Sequence, residues 1–537
     1  MKKARLPKGF GLALLAAAYG VSLWWVFTRA PAPGGQRPVT SRIAQWQIES
    51  GPPAGIAAVI KRYEELNPQV KVEQLMIPGA VYKQWLRTNL AGGTATDILE
   101  WGAWLAGQKD LPARYFEPLT AELAQPNPYN AGTSQDGIAW ERTFHDNLIG
   151  PRRDSPDPGQ IYAVTITEVS MRLFCNVELY RKIVGGEPVF ENYDQFRQAL
   201  KLIRDYARRA QKPIHGLAGS RDNGLWLTQS VWGAPLLALN HSFDDAGYLY
   251  LYNRQVLAAY LEGRWNFEQP NVLAGLKLVR ELSLSMKPGY LQLRRDDAML
   301  EFFSGNAVFL FTGTWDATTI RRTAPFEIEI MRLPAVLRDD PEVGAYVRGP
   351  GGEGMGETAM AMYLNNASPH KKEAVDFLRF LTSVEGNQIF SEHSLWLPAV
   401  NGAKIPEPIR NFRSYRQGYA LGQAPYDLIG SEVSMQWDQN YHLLSGENGS
   451  VEKFAEQLDR VMPTAIRTDL ENEARNTLIL VKPQDAQIVA RARLAQDAPD
   501  GGRHRARQRE MEMGQTMSEG LAFQMKLQLE RTKPPAP

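Results

Sequence analysis

The chain has 537 residues, of which 44% are hydrophobic and 22% charged, a globular composition long enough for more than one folded unit. Its 60 Lys and Arg offset 59 Asp and Glu, so no net field draws it to nucleic acid. A single cysteine, Cys175, excludes intramolecular disulfides and cysteine-rich zinc sites, and the 7 His fall in no HExxH or paired spacing, so neither metal nor cofactor is expected.

Lys2, Lys3, Arg5 and Lys8 precede an apolar run from Phe10 to Phe27, the pattern of an export signal. The run is long for a cleaved signal, and Trp24 and Trp25 suit a membrane interface, so an uncleaved anchor is expected, with cleavage left open. Either way the rest of the chain crosses the membrane. Pro and Gly then mark a linker over 30–40.

From Arg42 onward strands and helices alternate. Ile43–Ile48 reads as a strand, Ala57–Leu66 as an amphipathic helix, Val70–Leu75 as an alternating strand, Tyr82–Leu90 as a helix and Asp97–Trp101 as a third strand. The alternation resumes with strands at Ile161–Thr165 and Met171–Asn176 and helices at Tyr193–Ala210 and Val272–Leu284. Phe302–Phe311 reads as a helix end, a turn and a strand. Met360–Leu364 predicts a strand and Lys371–Leu381 a helix. Such alternation predicts an α/β fold with parallel sheets. The sparse apolar residues after 481 predict helix to about 495 and disorder beyond.

Several motifs then fall in a familiar order. They include Tyr63-Glu64-Glu65-Leu66-Asn67-Pro68, Asp97-Ile98-Leu99-Glu100-Trp101, Gly159-Gln160-Ile161-Tyr162-Ala163-Val164 and Arg172-Leu173-Phe174-Cys175-Asn176. Asn192-Tyr193-Asp194-Gln195-Phe196 follows, with Asp194 available as a helix cap. Phe303–Phe309 running into Gly313-Thr314-Trp315-Asp316, then Phe377–Ser383 and Leu397-Pro398-Ala399-Val400, complete the series. Over roughly 42–465 this resembles the maltose-binding-protein-like solute-binding proteins that serve ABC sugar importers. Thr165 and Cys175 depart from the family's usual proline and aromatic, and the tail exceeds its length.

The resemblance implies a two-lobed periplasmic-binding-protein fold, each lobe a mostly parallel sheet flanked by helices. An N-terminal signal or anchor with its linker occupies 1–39. The first lobe takes 40–163 and 349–400, the second 164–348 and 401–480, and the tail 481–537. The function implied is capture of a sugar or oligosaccharide between the lobes of an extracytoplasmic monomer that docks on ABC permease subunits.

Sugars need flat faces for their C–H sides and planar polar groups for their hydroxyls, so aromatics and carboxylates just after strands are the candidates. Trp46, Glu49, Glu100 and Trp101 meet that description, and Gly352-Glu353-Gly354 is expected to line the hinge side of the cleft. By the resemblance, Trp315 with Asp316 and also Trp437 stack or hold ligand. Trp232, Trp226, Asn223 and Trp104 are further candidates, and Arg172 and Arg348 leave room for an acidic sugar. Without such context a Trp in an α/β domain is more often core.

Catalysis is not expected. The Gly349–Gly354 stretch matches GxGxxG, but a strand-like run follows it where a dinucleotide site needs a helix. Two alternatives stay open: a membrane-tethered sensor of the same fold, and a glycosidase using a pair such as Glu100 and Glu353.

Overall fold

The computed structural model describes residues 39–102, 111–153, 155, 159–243, 253–349, 351–352, 357–415, 419–420, 430–446 and 448–533. The expected membrane segment at Phe10–Phe27 lies outside these. Among the described residues no helix is long and apolar enough to cross a membrane.

The chain begins with β1 (Val39–Gln45), α1 (Gly51–Leu66), β2 (Val70–Met76), α2 (Gly79–Gly92) and β3 (Ile98–Glu100). Helix α1 starts six residues before the expected Ala57, because Pro52 and Pro53 occupy its first turn, where a missing N–H costs nothing. Strand β4 (Ala163–Val169) then runs through Ser170 into β5 (Met171–Asn176). The second lobe continues with α3 (Tyr193–Ala210), β6 (His215–Ala218), α4 (Arg221–His241), α5 (Pro270–Ser283), α6 (Arg295–Phe303), β7 (Ala307–Gly313) and β8 (Ile328–Met331). Asn192, not Asp194, caps α3 by accepting from the Gln195 N–H at 3.1 Å, and Asp194 instead pairs with Arg197 at 2.7 Å.

After the short β9 (Gly351–Gly352), strand β10 (Glu357–Leu364) returns to the first sheet. Helices α7 (Lys371–Leu381) and α8 (Val384–Ser394) and strand β11 (Leu397–Pro398) follow, and β12 (Tyr419–Ala420) pairs with β9. The chain ends in α9 (Ser431–Asn440), α10 (Val451–Asp497) and α11 (Gly501–Arg531).

The first sheet has the order β11-β4-β10-β3-β1-β2 and the second β6-β7-β5-β8. Both are mixed, which corrects the expected mostly parallel sheets. Within these two sheets the described parallel pairs are β2–β1, β1–β3 and β6–β7. Strands β10 and β5 enter from the other lobe and run against the neighbours they separate. Strand β4 also stays in the first sheet along its whole length, so the lobes divide at Ser170 rather than after Ala163.

Side-chain alternation splits each lobe's core in two. Ile43, Ile98 and Met362 face one apolar cluster while Ala44, Leu99 and Tyr363 face another. In the second sheet Leu173, Phe309 and Phe311 face one side and Phe174, Ala218 and Leu310 the other. Central β7 is buried along its entire length, as its apolar run Ala307–Phe311 requires.

The tail is the larger departure. Instead of fading into disorder, α10 and α11 form a long helical hairpin. Phe454, Leu458, Met462, Ile466 and Leu470 root α10 in the second lobe's core, and Met525 and Leu529 of α11 join them. Nearer the hairpin's turn, Glu510 accepts a hydrogen bond from Gln160 of the first lobe at 2.9 Å, and Arg507 reaches the Tyr162 hydroxyl at 3.5 Å.

Two crossing segments lie together between the lobes. Arg172 is fully buried and donates to the carbonyls of Asn411 and Met171 at 2.6 Å, Arg413 at 2.7 Å and Phe412 at 3.2 Å. The Ser170 hydroxyl also donates to Phe412 O, and the Ser414 hydroxyl to Glu168. Arg172, a candidate for binding an acidic sugar, thus fastens the connection between the lobes.

Candidate functional site

Where β1 and β3 end in the first lobe, three of the candidate residues come together. Glu100 closes β3 with its carboxylate buried under the loop that leaves β1. It accepts from the Trp46 N–H at 3.2 Å and from Gln47 Nε2 at 3.1 Å. Its own carbonyl accepts from the Tyr82 hydroxyl at 2.6 Å, and the Tyr82 ring meets Trp46 edge-on with centroids 5.3 Å apart. Glu100 therefore positions half-buried Trp46 and the loop leading to Glu49.

Burial pushes the Glu100 carboxyl up to about 8, with the charge of Glu49 adding to it and the two hydrogen bonds opposing it. The unfolded chain would lose that proton near 4.5, so between the two values the folded protein holds a proton that the unfolded one lacks. This contribution to stability is complete below 4.5 and disappears as pH rises through about 8. The difference in stability between wild type and Glu100→Gln is expected to change by a few kcal/mol across that range, wild type being relatively weaker at alkaline pH. Denaturant titrations of both proteins at several pH values read it, and parallel pH profiles would contradict it.

The facing wall comes from the end of β7. Thr312 donates to the buried Asp316 carboxylate at 2.6 Å. Burial raises the Asp316 carboxyl, with Arg295 pulling it back down. Trp315 lies over Gly313, where a Cβ would come within 2.4 Å of the indole, so only glycine admits the ring there. Trp226 meets Trp315 edge-on at 5.3 Å, and both rings are half-buried. Among the described residues, the buried indole N–H of Trp315 has no acceptor.

Arg295 joins the two walls. It donates to Glu49 of the first lobe at 2.9 Å and lies 3.8 Å from Asp316 of the second. The sequence reading passed over it, although a signal was available. Arg294 and Arg295 open helix α6, where the helix dipole disfavours cations, so nearby carboxylates are needed to hold them. The arrangement offers two half-buried indoles, an unpaired ring donor and carboxylates held by an arginine, the groups that a polyhydroxylated ligand requires.

The remaining candidates lie elsewhere. Trp232 and Trp437 stack on each other at 5.1 Å, with Phe454 5.0 Å from Trp437, deep in the second lobe's core. Trp101 is fully buried against Tyr363 and Phe116 at 5.3 and 6.4 Å. The expectation of ligand contact at these three gives way to core packing, because each ring is enclosed by aromatic neighbours. Asn223 is buried and donates to Phe311 O at 2.8 Å, and Arg348 is exposed. Glu353 and Trp104 lie outside the described residues.

The family model of bacterial extracellular solute-binding proteins matches residues 49–388. No curated protein sequence matches the chain. Among solved structures, the apo-form of RafE from Streptococcus pneumoniae superimposes with a TM-score of 0.54 at 16% identity, covering 81% of this chain and 99% of its own. The GacH receptor of Streptomyces glaucescens, solved unliganded and with acarbose, gives the same values. A structure from work on xylan utilization by the thermophilic bacterium Caldanaerobius polysaccharolyticus gives 0.53 at 17%, covering 79% and 99%. At these identities the likeness is one of fold.

Proposed function

This chain belongs to the bacterial extracellular solute-binding proteins, and we propose that it captures a sugar or oligosaccharide between its lobes, outside the cytoplasm, for delivery to an ABC importer. The observation that carries this reading is the Trp315–Trp226 pair on the wall where Arg295 bridges Asp316 of one lobe and Glu49 of the other. An indole face suits the C–H side of a pyranose, while the carboxylates and the guanidinium suit its hydroxyls. Binding would be a hinge closure about the Ser170 and 411–414 crossings, with Glu49 and Arg295 as the contacts that exchange between lobes. The basic leader and the Phe10–Phe27 run support a membrane tether, with a cleaved signal as the other outcome.

A thermal-shift screen against mono- and oligosaccharides, neutral and acidic, tests the reading. A ligand present at about one hundred times its Kd adds roughly 2.7 kcal/mol to the folded state. Silence across the panel would sink the carbohydrate reading and direct the search to peptides. Release of shorter sugars on incubation would favour a glycosidase instead. A tethered sensor is the second reading. It is favoured by the helical hairpin, which lies beyond residue 388, where the family match ends.

A further inference from the structure

Helix α11 is apolar on two opposite faces. Met511, Ala522, Met525 and Leu529 form one, buried against α10 at 0–8% exposure. Met513, Met517, Phe523 and Leu527 form the other, at 54%, 62%, 67% and 37% exposure. A helix that is apolar on both sides has two neighbours to satisfy, and the hairpin supplies one. Gly520 lies on the outer face. A Cβ there would meet nothing within 4 Å, so no contact within the chain explains a residue that weakens a helix relative to alanine. Close approach of a second helix would explain it.

The spacing identifies that helix. Met517 and Phe523 lie three residues either side of Gly520, and Met513 and Leu527 seven either side. At 3.6 residues per turn all five share one stripe, together with the exposed Thr516 and Gln524 four residues either side. A two-fold axis sets each residue of an antiparallel helix pair against the partner's mirror position, so apolar positions spaced evenly about a central glycine meet apolar ones. We infer that the outer face of α11 binds a second copy of this chain, crossing at Gly520, with Met513 facing the partner's Leu527 and Met517 facing the partner's Phe523. This goes beyond ligand capture and does not depend on it. The register also brings Arg509 opposite the partner's Arg531 at each end. That like-charge pairing confines the apolar contact to 513–527 and makes association tighten with salt. Four side chains per partner make an interface smaller than the standard of about 800 Å² per partner, so the dimer is expected to be weak, with a Kd on the order of micromolar.

Cysteine cross-linking of the full chain tests the geometry, since the only native thiol, Cys175, is buried. Under mild oxidation Gly520→Cys is expected to yield a disulfide-linked dimer, because the two-fold axis places position 520 against itself. Met513→Cys alone should stay monomeric, and Met513→Cys combined with Leu527→Cys should link. Phe523→Glu with Met517→Glu, both at exposed positions, should raise the dimer Kd more than tenfold in sedimentation without changing the circular dichroism. The inference is overturned if position 520 fails to link, if Met513→Cys links to itself, or if the glutamate variant dimerises like wild type. Monomer at all concentrations, with binding to anionic vesicles that weakens in salt, would make the face a membrane surface and also overturn it.

Discussion

Arg172→Ala is expected to destabilise the protein by about 3–5 kcal/mol, because several buried carbonyls lose a donor at roughly 1–3 kcal/mol each. The guanidinium is fully buried, and its donors hold the carbonyls of Met171, Asn411, Phe412 and Arg413. Alanine would take the guanidinium donor from the Met171, Asn411 and Arg413 carbonyls, while Phe412 O keeps the Ser170 hydroxyl. Because the carbonyls belong to both crossing segments, the loss concerns the connection between the lobes and not just one core. Arg172→Lys keeps the charge but not the planar fork, so it should recover only part of the stability. Urea denaturation measures both variants, and a loss below about 1 kcal/mol for the alanine variant would show that the crossing does not rely on this side chain.

Trp315→Ala is expected to lower carbohydrate affinity by about thirtyfold or more, as for a stacking aromatic that anchors an interface. The substitution removes the flat face over Gly313, the edge contact to Trp226 and the unpaired N–H together. Trp315→Phe separates them, since it keeps an aromatic face and drops the donor, and an intermediate affinity is expected. Calorimetry with the sugar that gives the largest thermal shift reads both. An affinity within twofold of wild type for Trp315→Ala would remove the proposed site from this wall.

Local signals in the sequence were sufficient where each acts within a few residues. Strand β5 and helix α3 fall at the residues expected, Met171–Asn176 and Tyr193–Ala210, because a buried apolar run and a 3.6-residue period are both local. Sheet direction is not local. The antiparallel insertions of β10 and β5 come from the chain crossing twice between lobes, which alternation of elements cannot reveal.

The site divides in the same way. Strand ends place Trp46 beside Glu100, and Arg295 links Glu49 to Asp316, but one residue type served two purposes elsewhere. Trp232 entered the core because Gly275 vacates its place, a Cβ there coming within 2.1 Å of the indole. Trp437 followed it because α10 covers both. Neither cause can be read from the neighbours of those tryptophans in sequence. The tail was misread because its apolar residues are few in number, although Met511, Ala522, Met525 and Leu529 share one face of a helix.

The hairpin ends far from where it is rooted. Helix α11 packs on the second lobe at Met525 and touches the first at Glu510, a span of about 22 Å along the helix. It is a strut across a hinge. Any rotation of one lobe against the other must break the Gln160–Glu510 hydrogen bond, slide it, or bend the hairpin. The angle between the lobes is therefore transmitted to the outer surface of α11, well away from Trp315. An occupied and an empty chain would differ there in the position of a rod and not merely in the contents of a cleft.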